Sequence, residues 1–365
     1  MICMKILFAH LLNNYTGSPK VLSVLLEGLA ADGSMDISLL TSKTDGFLSG
    51  IPNITYYSNF YRWHENKLLR AAQFALSQVR NFFFTLIADF DVLYMNTVVP
   101  CGAAMAAGLR GKKIVYHVHE VYVHPGFVKR LYFKIMRKYA AKAVCVSNYV
   151  RENICFENAV VIYNPIGFSA MPSDVEDCLR EKFEKRMIFM PTSLKEYKGV
   201  FQFVELARRM PDFQFVLLCS ADIDEMQRFF SGAAIPENLS FVGRQPNLDK
   251  FYRDAAVTMN LSLYDKFIET FGLTVLESFD ALTPAVAPNY GGCREIVQDG
   301  RNGFLVDPYN LDEVSARIKE IMKDFQTYRR FALCAKRRAG DFGRERFLTD
   351  IKSLIAECVI KMEEL

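Results

Sequence analysis

The segment Ser262-Leu263-Tyr264-Asp265-Lys266-Phe267-Ile268-Glu269-Thr270-Phe271-Gly272-Leu273-Thr274-Val275-Leu276-Glu277 decides how this chain is read. It follows a short β-rich run, Val257–Asn260, so Glu269 falls in a loop just after a strand. Phe271-Gly272 then opens a helix whose apolar face carries Leu273, Leu276 and Phe279. Gly272 lets the backbone come close to a ligand, and the first turn of the new helix offers unpaired N–H groups. Such an end favours an anion by about 0.3–1 kcal/mol when exposed and up to ~2 kcal/mol when partly buried. Glu277 stands about one and a half turns into the helix. The two carboxylates are therefore too far apart to share a proton and do different jobs, Glu269 at the reacting end and Glu277 on the helix flank.

Outward from this unit the same strand–helix alternation repeats. Lys5–Ala9, Ile37–Thr41, Val92–Met95, Ile114–His117, Ala143–Ser147 and Val160–Tyr163 read as strands, with helical stretches such as Val21–Ala31, Lys67–Leu86 and Val128–Ala141 between them. The pattern restarts with Met187–Met190, Gln214–Cys219, Leu239–Val242, Val257–Asn260, Ala285–Ala287 and Phe304–Val306. Alternation of this kind builds parallel sheets covered by helices on both faces. Asn164-Pro165-Ile166-Gly167 is a turn-forming break between the series. The expectation is α/β, with doubly wound domains at 1–167 and 168–343 and a last helix, about 344–365, returning to the first domain. Ligands in such folds sit at the carboxyl ends of strands, here in the crevice expected between the domains.

Composition narrows the function. The chain has 365 residues, 51% apolar and 23% charged, with 20 Gly and 13 Pro, which excludes disordered and collagen-like chains. Its net charge of +3 argues against a nucleic-acid binder. That charge is uneven: residues 1–167 hold 17 Lys and Arg against 10 Asp and Glu, the remainder 27 against 31. Nine scattered cysteines without a C-x-x-C pair give neither a disulfide framework nor a zinc site. Residues 1–12 lack the apolar length of a signal peptide, and no window reaches the ~18 apolar residues of a spanning helix. A reduced, cytoplasmic protein, not integral to a membrane, is expected. Gly17 is the only glycine in His10–Lys20, after the first strand, so no dinucleotide fingerprint follows it, and no Walker loop occurs.

The spacing Glu269…Glu277 with Phe-Gly after the first Glu resembles the retaining, nucleotide-sugar-dependent glycosyltransferases of the GT-B fold (glycosyl transferases group 1, family 4). The resemblance continues through Pro284, Gly291-Gly292-Cys293-Arg294-Glu295-Ile296-Val297 and Asp299-Gly300-Arg301-Asn302-Gly303-Phe304-Leu305-Val306. It implies that Glu269 faces the donor sugar, that Glu277 binds the nucleotide ribose, and that backbone groups of Phe271, Gly272, Leu273 and Thr274 hold the diphosphate. In the family an Arg and a Lys of a G-R-L-x-x-x-K-G stretch also meet the phosphates. Here the stretch is Thr192-Ser193-Leu194-Lys195-Glu196-Tyr197-Lys198-Gly199: Lys198 matches the Lys, but Ser193 replaces the Arg. A hydroxyl does not replace a guanidinium fork, and Lys195 is the nearest substitute for its charge. Leu282 likewise stands where the family usually has Gly.

In the first domain His117-Val118-His119-Glu120 follows a strand. His117 and His119 on one extended face are compatible with a metal or with ordinary polar packing. By resemblance His119, with Glu120, lines the cleft and approaches the donor sugar, Gly17 lets the first loop near the diphosphate or acceptor, and Ser147 and Asn164 line it too. A plain turn for Gly17, a helix cap for Ser147 and a turn for Asn164 stay open. The catalytic set is thus Glu269, His119 and Lys198, with no metal and no cofactor. The implied function is transfer of a hexose-type sugar from a nucleoside-diphosphate sugar, UDP before GDP, to a glycan or polyprenyl-linked acceptor in surface-polysaccharide synthesis. A non-catalytic nucleotide-sugar-binding partner of another transferase and a sugar-nucleotide epimerase stay open beside it.

Residues 127–142 carry six cations and no acid. A helical wheel places Val128, Leu131, Tyr132, Ile135 and Tyr139 inward, and Arg130, Lys134, Arg137 and Lys138 outward with Phe133 beside them. At about 1 kcal/mol per cation near anionic lipid, such a face supports reversible docking at the inner side of the cell membrane, with Phe133 as a wedge; a solvated surface is the plainer reading.

Overall fold

A computed structural model describes residues 4–123, 125–167 and 171–360; Cys3, His124 and the stretch 361–365 of the expected last helix lie outside the described residues. The chain divides into two compact units, one reaching to Pro165 and resuming at Arg344, the other spanning Ile166–Gly343.

The strands of the first unit are β1 (Met4–Ala9), β2 (Met35–Thr41), β3 (Thr55–Ser58), β4 (Val92–Met95), β5 (Lys113–Val118), β6 (Lys142–Cys145) and β7 (Ala159–Val161). They form one parallel sheet in the order β3-β2-β1-β4-β5-β6-β7. Ile6, Leu7, Phe8 and Ala9 are all buried, as a central strand covered on both faces requires. Around it run α1 (Gly17–Asp32), α2 (Lys67–Ile87), α3 (Cys101–Leu109), α4 (Gly126–Tyr139) and α5 (Asn148–Ile154). β3 has no counterpart in the sequence reading: it is a sheet edge whose four residues are exposed or half-buried, so no buried pattern marks it.

The second unit holds β8 (Met187–Thr192), β9 (Gln214–Cys219), β10 (Leu239–Val242), β11 (Val257–Met259), β12 (Ala285–Pro288) and β13 (Gly303–Val306), again all parallel, in the order β10-β9-β8-β11-β12-β13. Its helices are α6 (Val175–Lys185), α7 (Val200–Arg209), α8 (Ile223–Phe229), α9 (Asp249–Asp254), α10 (Leu273–Asp280), α11 (Cys293–Ile296), α12 (Leu311–Ile321) and α13 (Phe325–Ala339). Phe203, Phe215, Val257, Met259, Phe304 and Phe331 lie in its main core. The last helix, α14 (Arg344–Ile360), belongs to the first unit. A Cβ on Gly28 of α1 would lie 2.5 Å from the terminal methyls of Leu348, so the glycine leaves room for that side chain of α14. Arg344 and Lys352 add ion pairs to Glu27 and Asp32 at 3.5 and 3.1 Å.

One expectation fails on α4. Phe133 is buried together with Tyr132, Ile135 and Met136, whereas Leu131 is exposed. Burying Met136, which the wheel left out of the inward stripe, turns the helix about its axis, drawing Phe133 in and pushing Leu131 out. Phe133 is no wedge; Arg130, Lys134, Arg137 and Lys138 do face solvent.

Helix α10, which carries Glu277, is gripped at its C-terminal end by two lysines. Lys336 donates to the Asp280 carbonyl at 2.7 Å and pairs with its carboxylate at 2.8 Å. Lys182 of α6, fully buried, donates to the carbonyls of Ala281 and Tyr252 at 2.5 and 3.1 Å and to the Thr283 hydroxyl at 2.6 Å. Cations suit the negative end of the helix dipole. Just beyond, Leu282 adopts a left-handed φ of 60° with its side chain buried.

Burial pushes the Lys182 ammonium down to about 7, against 10.5 in the unfolded chain. Between these values the unfolded state holds the proton that the folded state gives up, so this group adds stability as pH rises, at most ~1.4 kcal/mol per pH unit. Urea melts from pH 7 to 10 on wild type and Lys182→Met should show that slope only in wild type. For Leu282→Gly, relief of the left-handed strain recovers about 1–2 kcal/mol. Loss of a buried Leu side chain costs about 2–5 kcal/mol. The expected result is a net loss of about 2 kcal/mol in denaturant unfolding, with a gain in stability as the contrary outcome.

Candidate functional site

Strands β8 and β11 are parallel neighbours, paired at Ile188 with Val257 and Phe189 with Thr258. The loops leaving their carboxyl ends therefore emerge side by side. The first holds a short 3₁₀ turn, Glu196–Lys198, closed by Gly199 at φ 75°. A Cβ there would lie 2.2 Å from the Leu261 carbonyl of the second loop, and Leu263 N–H donates to the Tyr197 carbonyl at 2.8 Å. This interlock brings Lys198 Nζ to 2.5 Å from Glu269 Oε1, both side chains being more than four-fifths removed from solvent. Ser262 Oγ donates to the same carboxylate oxygen at 3.0 Å, and Asn260 Oδ1 accepts the Ser262 N–H. Burial pushes the Glu269 carboxyl up, but the Lys198 charge and hydrogen bonds from Lys198, Asn260 and Ser262 outweigh it and hold the group below the usual carboxylate range. The Lys198 ammonium also lies 3.8 Å from the centre of the Phe267 ring, which Tyr197 stacks against.

Glycines seat the loop that carries Glu269. Gly291, at φ 67°, would place a Cβ 2.3 Å from the Glu269 carbonyl oxygen, and Gly292 one 2.2 Å from that of Thr270. Gly292 N–H donates to the Glu269 carbonyl at 2.8 Å. Phe271 is buried, and Gly272 turns at φ 107° into the first turn of α10, where the N–H groups of Leu273 and Thr274 precede the first intrahelical bonds. On the flank of α10 the Tyr252 hydroxyl donates to Glu277 Oε2 at 2.6 Å. Of the remaining donor-side residues, Ser193 is half-buried and engages Lys195 through its carbonyl, while the Lys195 side chain is exposed.

The first unit gathers a second cluster by the same rule. His10, Asn96 and His119 follow β1, β4 and β5, which are adjacent in the sheet. His119 Nε2 meets Asn96 Oδ1 at 3.0 Å, and His10 Nδ1 lies 3.0 Å from the Asn96 carbonyl. Asn96 Nδ2 donates to the Ser18 carbonyl at 3.2 Å, which ties in the Gly17 start of α1. Burial, then the imidazoles of His117 and His10, keep His119 neutral far below its ordinary value. His117 is fully buried, with Nδ1 3.0 Å from the Tyr94 hydroxyl and its ring 4.2 Å from that of His119. Glu120 accepts the Val98 N–H at 3.1 Å, and burial raises its carboxyl to about 7. Ser147 caps α5 by accepting the Val150 N–H at 3.1 Å, and Asn164 is buried near the end of the unit. His10, Asn96 and Ser262 escaped the sequence reading although they stand just past recognised strands. So did Asn260, the last residue of the expected strand Val257–Asn260, which the structure ends at Met259; their position was the available signal. Phe267 and Tyr252 carried none.

The two parallel sheets, each with a polar cluster beyond the carboxyl ends of adjacent strands, define the GT-B class of fold. Residues 177–338 match the family Glycosyl transferases group 1, and residues 15–168 match Glycosyltransferase Family 4. The chain belongs to the group 1 glycosyltransferases. It is 25% identical over 171 residues to the poly(glycerol-phosphate) α-glucosyltransferase of Bacillus subtilis, covering 46% of this chain and 25% of that protein. With sucrose synthase 2 of Arabidopsis thaliana it shares 24% identity over 339 residues, 83% of this chain and 40% of the relative. The chain thus spans well under two thirds of these relatives. Among solved structures, Anabaena HepE in complex with UDP-glucose superposes with a TM-score of 0.79 at 19% identity, over 97% of this chain and all of that one. The sucrose-phosphate synthase of Thermosynechococcus elongatus superposes with a TM-score of 0.81 at 16% identity, over 97% and 98%. At these identities the likeness is one of fold.

Because a Cβ at 292 collides with backbone, Gly292→Ala should displace the Glu269 loop. Loss of about 2 kcal/mol in thermal unfolding is the expected outcome. Wild-type stability would show that the close approach is dispensable.

Proposed function

We propose that this chain is a glycosyltransferase that moves a hexose-type sugar from a nucleoside-diphosphate sugar, UDP before GDP, to a glycan or lipid-linked acceptor, with retention of configuration. The observation that carries this reading is the Lys198–Glu269 pair beside the N-terminal turn of α10. Departure of a nucleoside diphosphate leaves negative charge, which Lys198 and the helix end are placed to stabilise without a metal. Glu269, kept ionised by its partners, favours positive charge developing on the donor sugar. Held by three donors, it suits electrostatic stabilisation better than nucleophilic attack. Glu277, oriented by Tyr252, is the ribose acceptor of the reading, and His119, neutral, hydrogen-bonds a sugar hydroxyl.

The UDP and UDP-glucose complexes of HepE support the donor class, and TarM, solved with UDP and α-GlcNAc-glycerol, supports a glycan-type acceptor. Assembly of a surface polysaccharide fits a basic first unit, whose α4 offers Arg130, Lys134, Arg137 and Lys138 to an anionic membrane at the cytoplasmic side. No helix of the described residues is long and apolar enough to cross one. Ser193 in place of an arginine favours a second reading, a non-catalytic nucleotide-sugar binder. Kinetics separate the two. Glu269→Gln and Lys198→Ala should each lower acceptor-dependent UDP release by about 10²–10³-fold with unchanged circular dichroism. Turnover at the wild-type rate in either variant defeats the assignment, and binding of UDP-sugar with no acceptor-dependent release in wild type selects the second reading.

A further inference from the structure

Helix α2 is built inside out. Its buried face carries Ser77, Asn81 and Thr85 beside Phe84, and both polar atoms of the Asn81 side chain lack a partner among the described residues. Its outward face carries Leu69, Leu76, Val79, Phe83, Leu86 and Ile87, with Leu76 67%, Phe83 59% and Ile87 82% exposed. The spacing 69-72-76-79-83-86, with Ala72 exposed as well, is a continuous stripe of alternating three- and four-residue steps along the whole helix. Contiguous apolar surface of this extent marks an interaction site rather than scattered exposure.

We propose that α2 lies flat in the interface of an anionic lipid bilayer, its stripe immersed among the acyl chains and headgroups. Charge selects this occupant over a second copy of the chain. Along its length α2 carries Lys67, Arg70 and Arg80 and no acid; Glu65 and Asp89 stand only beyond its two ends, and Asp89 is already paired with Lys5. The helix itself therefore offers a second copy no carboxylate for these cations, whereas anionic headgroups complement them. The surroundings agree. Trp63 and Phe60, both more than half exposed, lie along α2, with the Arg70 guanidinium 5.5 Å from the Trp63 ring and that of Arg80 5.3 Å from Phe60. Indole and guanidinium together are the side chains that anchor at a headgroup boundary. Helix α3, packed between α2 and α4, exposes Met105 and Leu109, and α4 supplies the cations beyond. One layer of helices thus presents an apolar ridge with a basic flank. The inference rests on the membrane-facing part of the proposed function, and it assigns insertion to α2 and leaves to α4 only electrostatic attraction.

The chain has a single tryptophan, so Trp63 reports directly. With vesicles of phosphatidylglycerol and phosphatidylcholine, the wild-type protein should co-sediment, its emission should shift to the blue, and brominated acyl chains should quench it. The double variant Leu76→Glu/Phe83→Glu, changed only at exposed positions, should partition about tenfold less or lower while keeping wild-type UDP binding. Absence of binding by the wild-type protein overturns membrane association as a whole. Undiminished partitioning of the double variant, with loss on replacing Arg130, Lys134, Arg137 and Lys138 by Gln, overturns the α2 assignment alone. A dimer in solution that the double variant dissolves, without vesicle binding, gives the face to a second copy and overturns the proposal.

Discussion

A carboxylate withdrawn from water must be matched by a cation or surrender its charge, and this requirement organises the second unit. Glu269 and Lys198 are 71 positions apart, yet they meet because β8 and β11 pair in parallel and release their loops on the same side. Much of the neighbouring architecture secures that meeting. Gly199 allows the two loops to touch, Gly291 and Gly292 press the Glu269 backbone into place, and two lysines hold the far end of α10 so that its first turn stays beside the pair. The order of strands, more than any single side chain, is what makes the site.

The first unit applies the same topology to a different electrostatic end. Its cluster also forms where the strand order reverses, at β1 and β4, but it consists of imidazoles and an amide that burial keeps neutral. Neutral donors and acceptors suit hydroxyl groups, whereas the paired charges of the second unit suit a phosphate-bearing leaving group. The uneven charge of the chain follows this division only partly. Many of the first unit's cations stand on α4, or just past the end of α3 as Arg110 and Lys112, rather than in the cluster.

The parallel sheets and the Glu269–Glu277 segment were legible because each rests on a local pattern. β4, β9 and β10 stand at the residues their apolar runs mark, and the helix after Phe271-Gly272 begins at Leu273. What escaped depends on contacts between distant segments. Ser262 and Asn260 matter because Glu269 comes back to them, and Tyr252 because α9 lies against α10's flank. A buried Lys182 looks in sequence like any surface lysine of a charged helix, and only the carbonyl ends gathered around it explain its burial. Phe133 shows the limit of a helical wheel: rotation is set by the best-packed residue, Met136, not by the tidiest stripe. On α2 the wheel is legible, but which face turns inward is decided by the partner helix.

The placement of α14 has a consequence for how the molecule is made. The second unit is one unbroken stretch and can close as soon as Gly343 has left the ribosome, whereas the first must wait for residues synthesised after it. Until then the groove on α1 at Gly28, and the flank of His117 that Phe347 covers, remain open. Completion of the amino-terminal unit therefore comes last, although its chain is synthesised first. The nascent amino-terminal half passes through a stage in which its sheet is assembled but one face lacks its final helix.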